Sequence, residues 1–203
     1  MLEIETMIHE IYEKEQIAND PWRDSPYKKL LGLTIDQRGK IGEEIGSTSI
    51  KKVSNDNIIV EEDISDVNAK PNEMHYDIKV NGQFIEIKTA YRGKQNTWQH
   101  ENLYKKAATM TIFIDFDYHG LYVSIFPESE LPLDKDSSIF GKKHGHLRKN
   151  KDDGYKLDFS LTTFKNFAKY GNDYSKYFEA EEANLKNIGN FITERILAYV
   201  ESL

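Results

Sequence analysis

The dipeptide Asn81–Gly82 stands between two stretches in which apolar and polar residues alternate, Met74–Val80 and Phe84–Thr89. Period-two alternation marks strands with one buried face, and Asn-Gly supplies the two positive-φ positions that a tight type I′ turn demands. The spacing predicts a β-hairpin and sets its register. Val80 faces Gln83, Lys79 faces Phe84, Ile78 faces Ile85, and Asp77 faces Glu86. Ile78, Val80, Ile85 and Ile87 take the core-facing side, and the other side presents Asp77, Glu86 and Lys88, with Lys79 nearer the turn.

Directly opposed carboxylates, with Cβ atoms about 4.5–5.5 Å apart, destabilise a ladder and invite a cation. Lys88 is one such charge. A hard divalent ion brings more, and two carboxylates completed by waters match the way magnesium is held in phosphoryl-transfer sites. The alternative is an ordinary cross-strand network in which Lys88 or Lys79 neutralises the acids. A close acid pair also suits a glycosidase, but that chemistry leaves Lys88 and the basic segments without a purpose.

The 203 residues, 38% of them hydrophobic, suffice for one compact domain with its own core. There is no cysteine, which excludes thiolate metal sites and cysteine nucleophiles. The amino terminus does not resemble a signal peptide and no apolar run could span a bilayer, so a soluble cytoplasmic protein with no membrane partner is expected. Ile4, Ile8 and Ile11 predict a first helix from about Glu3 to Ile17, and Asn19-Asp20-Pro21 ends it. A second helix runs from its cap Asp36 to Gly46, with glycines that imply close packing. A short apolar stretch covers Ile58–Val60. A polar helix is expected over 97–109, then an antiparallel strand pair at 111–116 and 121–126 around His119–Gly120. Residues 128–158 read as a long loop of the kind that carries binding surfaces. Leu185, Ile188, Ile192, Ile196, Tyr199 and Leu203 form the apolar stripe of a closing helix.

The net charge of −7 hides segregation: residues 1–20 are net −5 and 53–77 net −6, whereas 88–106 and 141–156 are each net +4. Local bases on one face let an acidic protein bind a polyanion. Lys142, Lys143, His144, His146, Arg148, Lys149 and Asn150 form the richer segment: lysines contact phosphates, and Arg148 can read guanine bidentately. His144 and His146 also read as half a metal site without a third ligand. Arg92, Lys94 and Gln95 form the second patch, just after the motif strand.

Asp77, eight intervening residues, and then Glu86-Ile87-Lys88 resemble the core motif of the PD-(D/E)xK nucleases, the superfamily of most type II restriction endonucleases, with Tyr76 in place of the proline before the aspartate. The resemblance implies an α/β restriction-endonuclease-like fold: a central mixed β-sheet flanked by helices, an αβββαβ core over about residues 36–126, and a C-terminal helix. It implies that Asp77, Glu86 and the Ile87 carbonyl bind Mg²⁺, and that Lys88 assists the water attacking the phosphodiester. It also implies an active-site glutamate on the preceding helix, Glu43 in Gly42–Glu43, with Glu44 as the alternative. Gln99 and His100 would then start the next helix near the metal and contact the DNA backbone. The expected protein is a Mg²⁺-dependent endonuclease that cuts double-stranded DNA at a specific short site. It would work as a homodimer, with the closing stripe or the first helix as the contact. The alternatives are a nuclease of the same fold without sequence specificity, acting in repair, recombination or phage defence, and a DNA-binding module without catalysis.

Overall fold

The computed structural model describes Met7 and residues 20–61, 76–93, 95–104, 108–131, 155–169 and 174–203. The expected first helix, apart from Met7, and the basic segment 142–150 lie outside these residues. The architecture is mixed α/β, with a central mixed β-sheet flanked by helices.

Helix α1 (Ile35–Val53) starts one residue before the expected cap. Thr34 caps it: its hydroxyl accepts from Gln37 N at 3.3 Å while the Gln37 side chain accepts from Thr34 N at 3.0 Å. This reciprocal box satisfies two otherwise unpaired main-chain donors. Asp36 falls instead in the first turn, where its charge favours the helix dipole.

The strands are β1 (Val60–Glu61), β2 (Ile78–Val80), β3 (Gln83–Tyr91), β4 (Thr97–Leu103), β5 (Met110–Phe116), β6 (Gly120–Pro127), β7 (Tyr155–Ser160) and β8 (Ser175–Glu179). Six of them form the sheet β1-β2-β3-β5-β6-β8, in which β3 and β5 run parallel and the other neighbours antiparallel. Strands β4 and β7 form a separate antiparallel pair. Helices α2 (Leu161–Lys169) and α3 (Leu185–Glu201) complete the described elements.

The central sheet separates two cores of different chemistry. On the α1/α3 side the core is aliphatic, with Ile50, Ile85, Ile87, Ile112, Ile114, Ile188 and Ile192 among its members. On the β4–β7 side it is aromatic, built from Trp98, Phe113, Phe126, Phe159, Phe164 and Phe167. Covered on both faces, β5 is buried along its whole length, as interior strands are. Helices α1 and α3 cross closely: a Cβ on Gly189 would sit 2.2 Å from the Ser49 carbonyl oxygen. Of the expected apolar stripe, Ile188, Ile192 and Ile196 are buried in this packing, whereas Leu185 and Tyr199 are partly exposed and Leu203 is exposed beyond the helix end.

Residues 97–103 form a strand where a helix was expected. Trp98, His100 and Leu103 point inward while Gln99 and Glu101 are exposed. Pairing with β7, Trp98 to Phe159 and His100 to Leu157, buries that alternation and overrides local propensity. The second helix of the expected αβββαβ order is therefore replaced, over these residues, by β4. The described end of the expected 128–158 loop belongs to β7, and α2 and β8 are further elements beyond those the sequence predicts.

Candidate active site

The hairpin has the register its turn dictates, with Ile78–Ile85, Lys79–Phe84 and Val80–Gln83 opposed. Asn81 and Gly82 have φ of 49° and 78°, the left-handed pair that a type I′ turn needs. Regular pairing stops at Ile78. At Asp77 the chain bends, its N–H donates to the Ile85 carbonyl at 2.8 Å, and its carboxylate Oδ2 accepts the Ile87 N–H at 2.6 Å. A side-chain oxygen thus stands where a main-chain carbonyl would continue the ladder. Because N–H and C=O of one strand residue point the same way, the Ile87 carbonyl faces this edge as well.

Glu86 and Lys88 lie on one face of β3, opposite to the aliphatic side. Their carboxylate and ammonium form an ion pair, with side-chain exposures of 8% and 22%. A carboxylate this deep requires such a partner. Lys79 is engaged elsewhere: it bridges Glu61 at 2.6 Å, and its ammonium lies over the Phe84 ring. Of the two lysines in the ordinary-network alternative, Lys88 is therefore the one that neutralises a motif acid, Glu86, and Lys79 is not.

Helix α1, packed on the other face of β3, brings Glu43 within electrostatic reach of these groups. A Cβ on Gly42 would meet Thr89 Oγ1 at 1.6 Å, so only glycine allows the helix this close to β3. Glu43, half-buried, has its carboxyl held above the usual range first by burial and then by Asp77; Lys88 and Lys40 pull it down, and Glu86 pushes it up. Glu44 is exposed and accepts from Thr48 Oγ1 at 3.1 Å. Glu43, not Glu44, is the helix acid in the field of the hairpin acids. Lys40 is a further charge acting on Glu43, and its i, i+3 spacing puts it on the same helix face.

Glu43, Asp77, Glu86 and Lys88 are thus electrostatic neighbours contributed by α1, the hairpin bend and β3. Among the described residues no group of three or more His, Asp or Glu side chains is placed to hold a metal ion. The expected opposition of Asp77 and Glu86 is not among the paired positions, which end at Ile78–Ile85: the Asp77 carboxylate bonds the Ile87 N–H and the Glu86 carboxylate pairs with Lys88.

The expected DNA-contacting residues divide. Gln95 and Gln99 are exposed, whereas Lys94, Lys142, Lys143, His144, His146, Arg148, Lys149 and Asn150 lie outside the described residues. Arg92 is a structural brace. Its guanidinium pairs with Asp117 at 2.9 Å, bonds Asn96 Oδ1 at 3.1 Å and lies over the Trp98 and Tyr118 rings. The expectation for His100 is corrected: it is buried beside Asp115, because β4 turns it inward, and it cannot reach a DNA backbone. No helix among the described residues is long and apolar enough to cross a membrane. The chain matches none of the protein-family models, curated proteins or solved structures with which it was compared.

Proposed function

We propose that this protein is a Mg²⁺-dependent DNA endonuclease of the PD-(D/E)xK type, related in design to type II restriction enzymes. The Glu86–Lys88 ion pair beside the Asp77 bend, with Glu43 in the electrostatic field of all three, carries the reading. Helix α1 followed by three antiparallel strands supports the restriction-endonuclease-like form of the fold, and β4 in place of a second helix is its departure.

The donor set suits magnesium. Asp77, Glu86 and the Ile87 carbonyl offer hard oxygens only, with fewer protein ligands than a calcium cage needs. Burial first, and then the neighbouring Asp77 and Glu86 charges, hold the Glu43 carboxyl up against Lys88 and Lys40. A bound Mg²⁺ supplies Lewis-acid polarisation of a phosphoryl oxygen. Asp77 and Glu86 hold that charge at the hairpin, Lys88 donates hydrogen bonds toward the attacking water or the phosphoryl oxygens, and Glu43 orients from the helix side. Two copies related by a two-fold axis would cut both strands of a palindromic site.

Mixed-sequence double-stranded DNA incubated with and without Mg²⁺, followed by fragment-end sequencing, tests this. Discrete ends that require Mg²⁺ and vanish in Lys88→Ala are expected. Random ends indicate the same chemistry without sequence recognition. Intact DNA with Mg²⁺ present, or cleavage that survives Lys88→Ala, overturns the proposal.

A further inference from the structure

On the face of the central sheet that carries Glu86 and Lys88, two more titratable side chains are sealed in the aromatic core. His100 Nε2 of β4 lies 2.9 Å from Asp115 Oδ1 of β5, and both side chains are fully buried. The imidazole is edge-on to Phe113 and Phe159, with ring centroids 4.6 and 5.2 Å away. None of His100 Nδ1 and Nε2 or Asp115 Oδ1 and Oδ2 has an aligned hydrogen-bond partner among the described residues, so the 2.9 Å contact is a close polar approach rather than an aligned hydrogen bond. The two residues belong to different sheets, so this polar contact ties layers that otherwise meet through rings and through the Trp98 indole N–H, which donates to the Phe116 carbonyl at 2.7 Å.

The surroundings leave the pair to neutralise itself. Register sets Ala90 of β3 and Tyr122 of β6 beside Asp115, and Leu157 of β7 beside His100. Along the same face of β3, Lys88 is paired with Glu86, and at the strand ends Arg92 is paired with Asp117. From β7 the core receives Leu157 and Phe159, with Tyr155 packed at its margin, and from α2 it receives Phe164 and Phe167. Lys156 and Asp158 alternate to the other face of β7. Burial pushes the Asp115 carboxyl up, and the charge that acts against this is that of His100.

Such a pair is neutral when its two members hold one proton between them, and that proton belongs to the pair rather than to either residue. Losing it leaves an unmatched negative charge among phenyl rings, a strongly unfavourable arrangement. We propose that His100 and Asp115 form a one-proton lock between the two sheets, and that alkaline loss of the proton unseats the β4–β7 layer from the face carrying Glu86 and Lys88. The sign follows from linkage. In the unfolded chain Asp ionises near 3.9 and His near 6.5; a folded pair that keeps its proton above those values loses stability as pH rises. The raised Asp115 carboxyl has the same sign, its contribution being lost with increasing pH. The inference stands independently of nuclease activity.

One of the two tryptophans, Trp98, lies in the aromatic core, and the other, Trp22, in the aliphatic one. In a Trp22→Phe background, Trp98 fluorescence and thermal unfolding are followed from about pH 6 to about pH 9, with and without Asp115→Asn. The expected result is a Tm that falls by on the order of 4 °C, a red shift of Trp98 before global unfolding, and loss of both trends in Asp115→Asn. Hydrogen exchange on the wild-type protein needs no variant. Corrected for intrinsic rate, β4 and β7 amides should lose about tenfold protection across the range while β5 and β6 keep theirs. Unchanged β4–β7 protection, or the same pH slope in a folded Asp115→Asn, overturns the lock.

Discussion

Lys88 reaches back along one face of β3 to ion-pair with the Glu86 carboxylate, whose side chain is 8% exposed. The lysine therefore has two tasks in the proposed enzyme: it neutralises a buried acid in the resting protein and is available to substrate when a divalent ion takes over that neutralisation. Lys88→Ala should lower cleavage at least about 100-fold. It should also cost about 1–3 kcal/mol in metal-free buffer, between the value of a surface pair and that of a fully buried one. Urea unfolding with and without Mg²⁺ checks the second task, since the ion should restore part of the loss in Lys88→Ala and none in Lys88→Ala combined with Glu86→Gln.

The Glu43 carboxyl is held above its usual range by burial, Asp77 and Glu86, against Lys88 and Lys40. A carboxyl raised in the folded state contributes stability below the unfolded value, near 4.3, and loses it as pH rises through the folded value. Glu43→Gln should therefore raise Tm at about pH 7 in chelator and flatten the decline from acidic to neutral pH, while cleavage falls at least about tenfold. Melting curves at several pH values, paired with a plasmid cleavage assay, separate the two effects. A Tm at neutral pH that drops instead would mean that the acid is stabilising where it stands.

Gly42 and Thr89 share a contact with no room for a methyl group. Gly42→Ala should destabilise by roughly 1–3 kcal/mol through overpacking, despite alanine's better helix propensity. Adding Thr89→Ala should recover much of that loss. Chemical denaturation of the two single variants and the double variant gives the coupling energy directly.

Arg92 and Gln99 were both expected to meet DNA, and the structure separates them. Arg92→Ala removes an ion pair, a hydrogen bond to Asn96 and two ring contacts. It should lower stability by about 1–3 kcal/mol. Gln99 is exposed, so Gln99→Ala should leave stability within about 0.5 kcal/mol and, if β4 borders the substrate, weaken DNA binding. Thermal melts and a mobility-shift titration on the same preparations distinguish brace from contact.

How far the primary structure reached depended on the range over which each feature is decided. The β2–β3 register was legible because Asn81–Gly82 is a local constraint: two residues with positive φ determine which neighbours can pair, whatever the rest of the chain does. The closing helix was legible for a similar reason, as its apolar spacing marks a buried face before any partner is known. Glycines on α1 announced a close approach but not its target; Thr89 became that target when the helix settled on β3.

Tertiary structure alone decided the remainder. Residues 97–103 carry both helical polarity and period-two alternation, and the choice fell to β7, a distant segment whose Leu157 and Phe159 complete the buried row. The same docking turned His100 from an expected DNA contact into the partner of Asp115. Glu43 and Glu44 are neighbours of equal chemistry, distinguished by which side of α1 faces the hairpin acids. Turn chemistry and periodicity act between residues a few positions apart and can be read along the chain. Burial of an ionisable group depends on which remote surface arrives to cover it, and that is settled only when the layers pack.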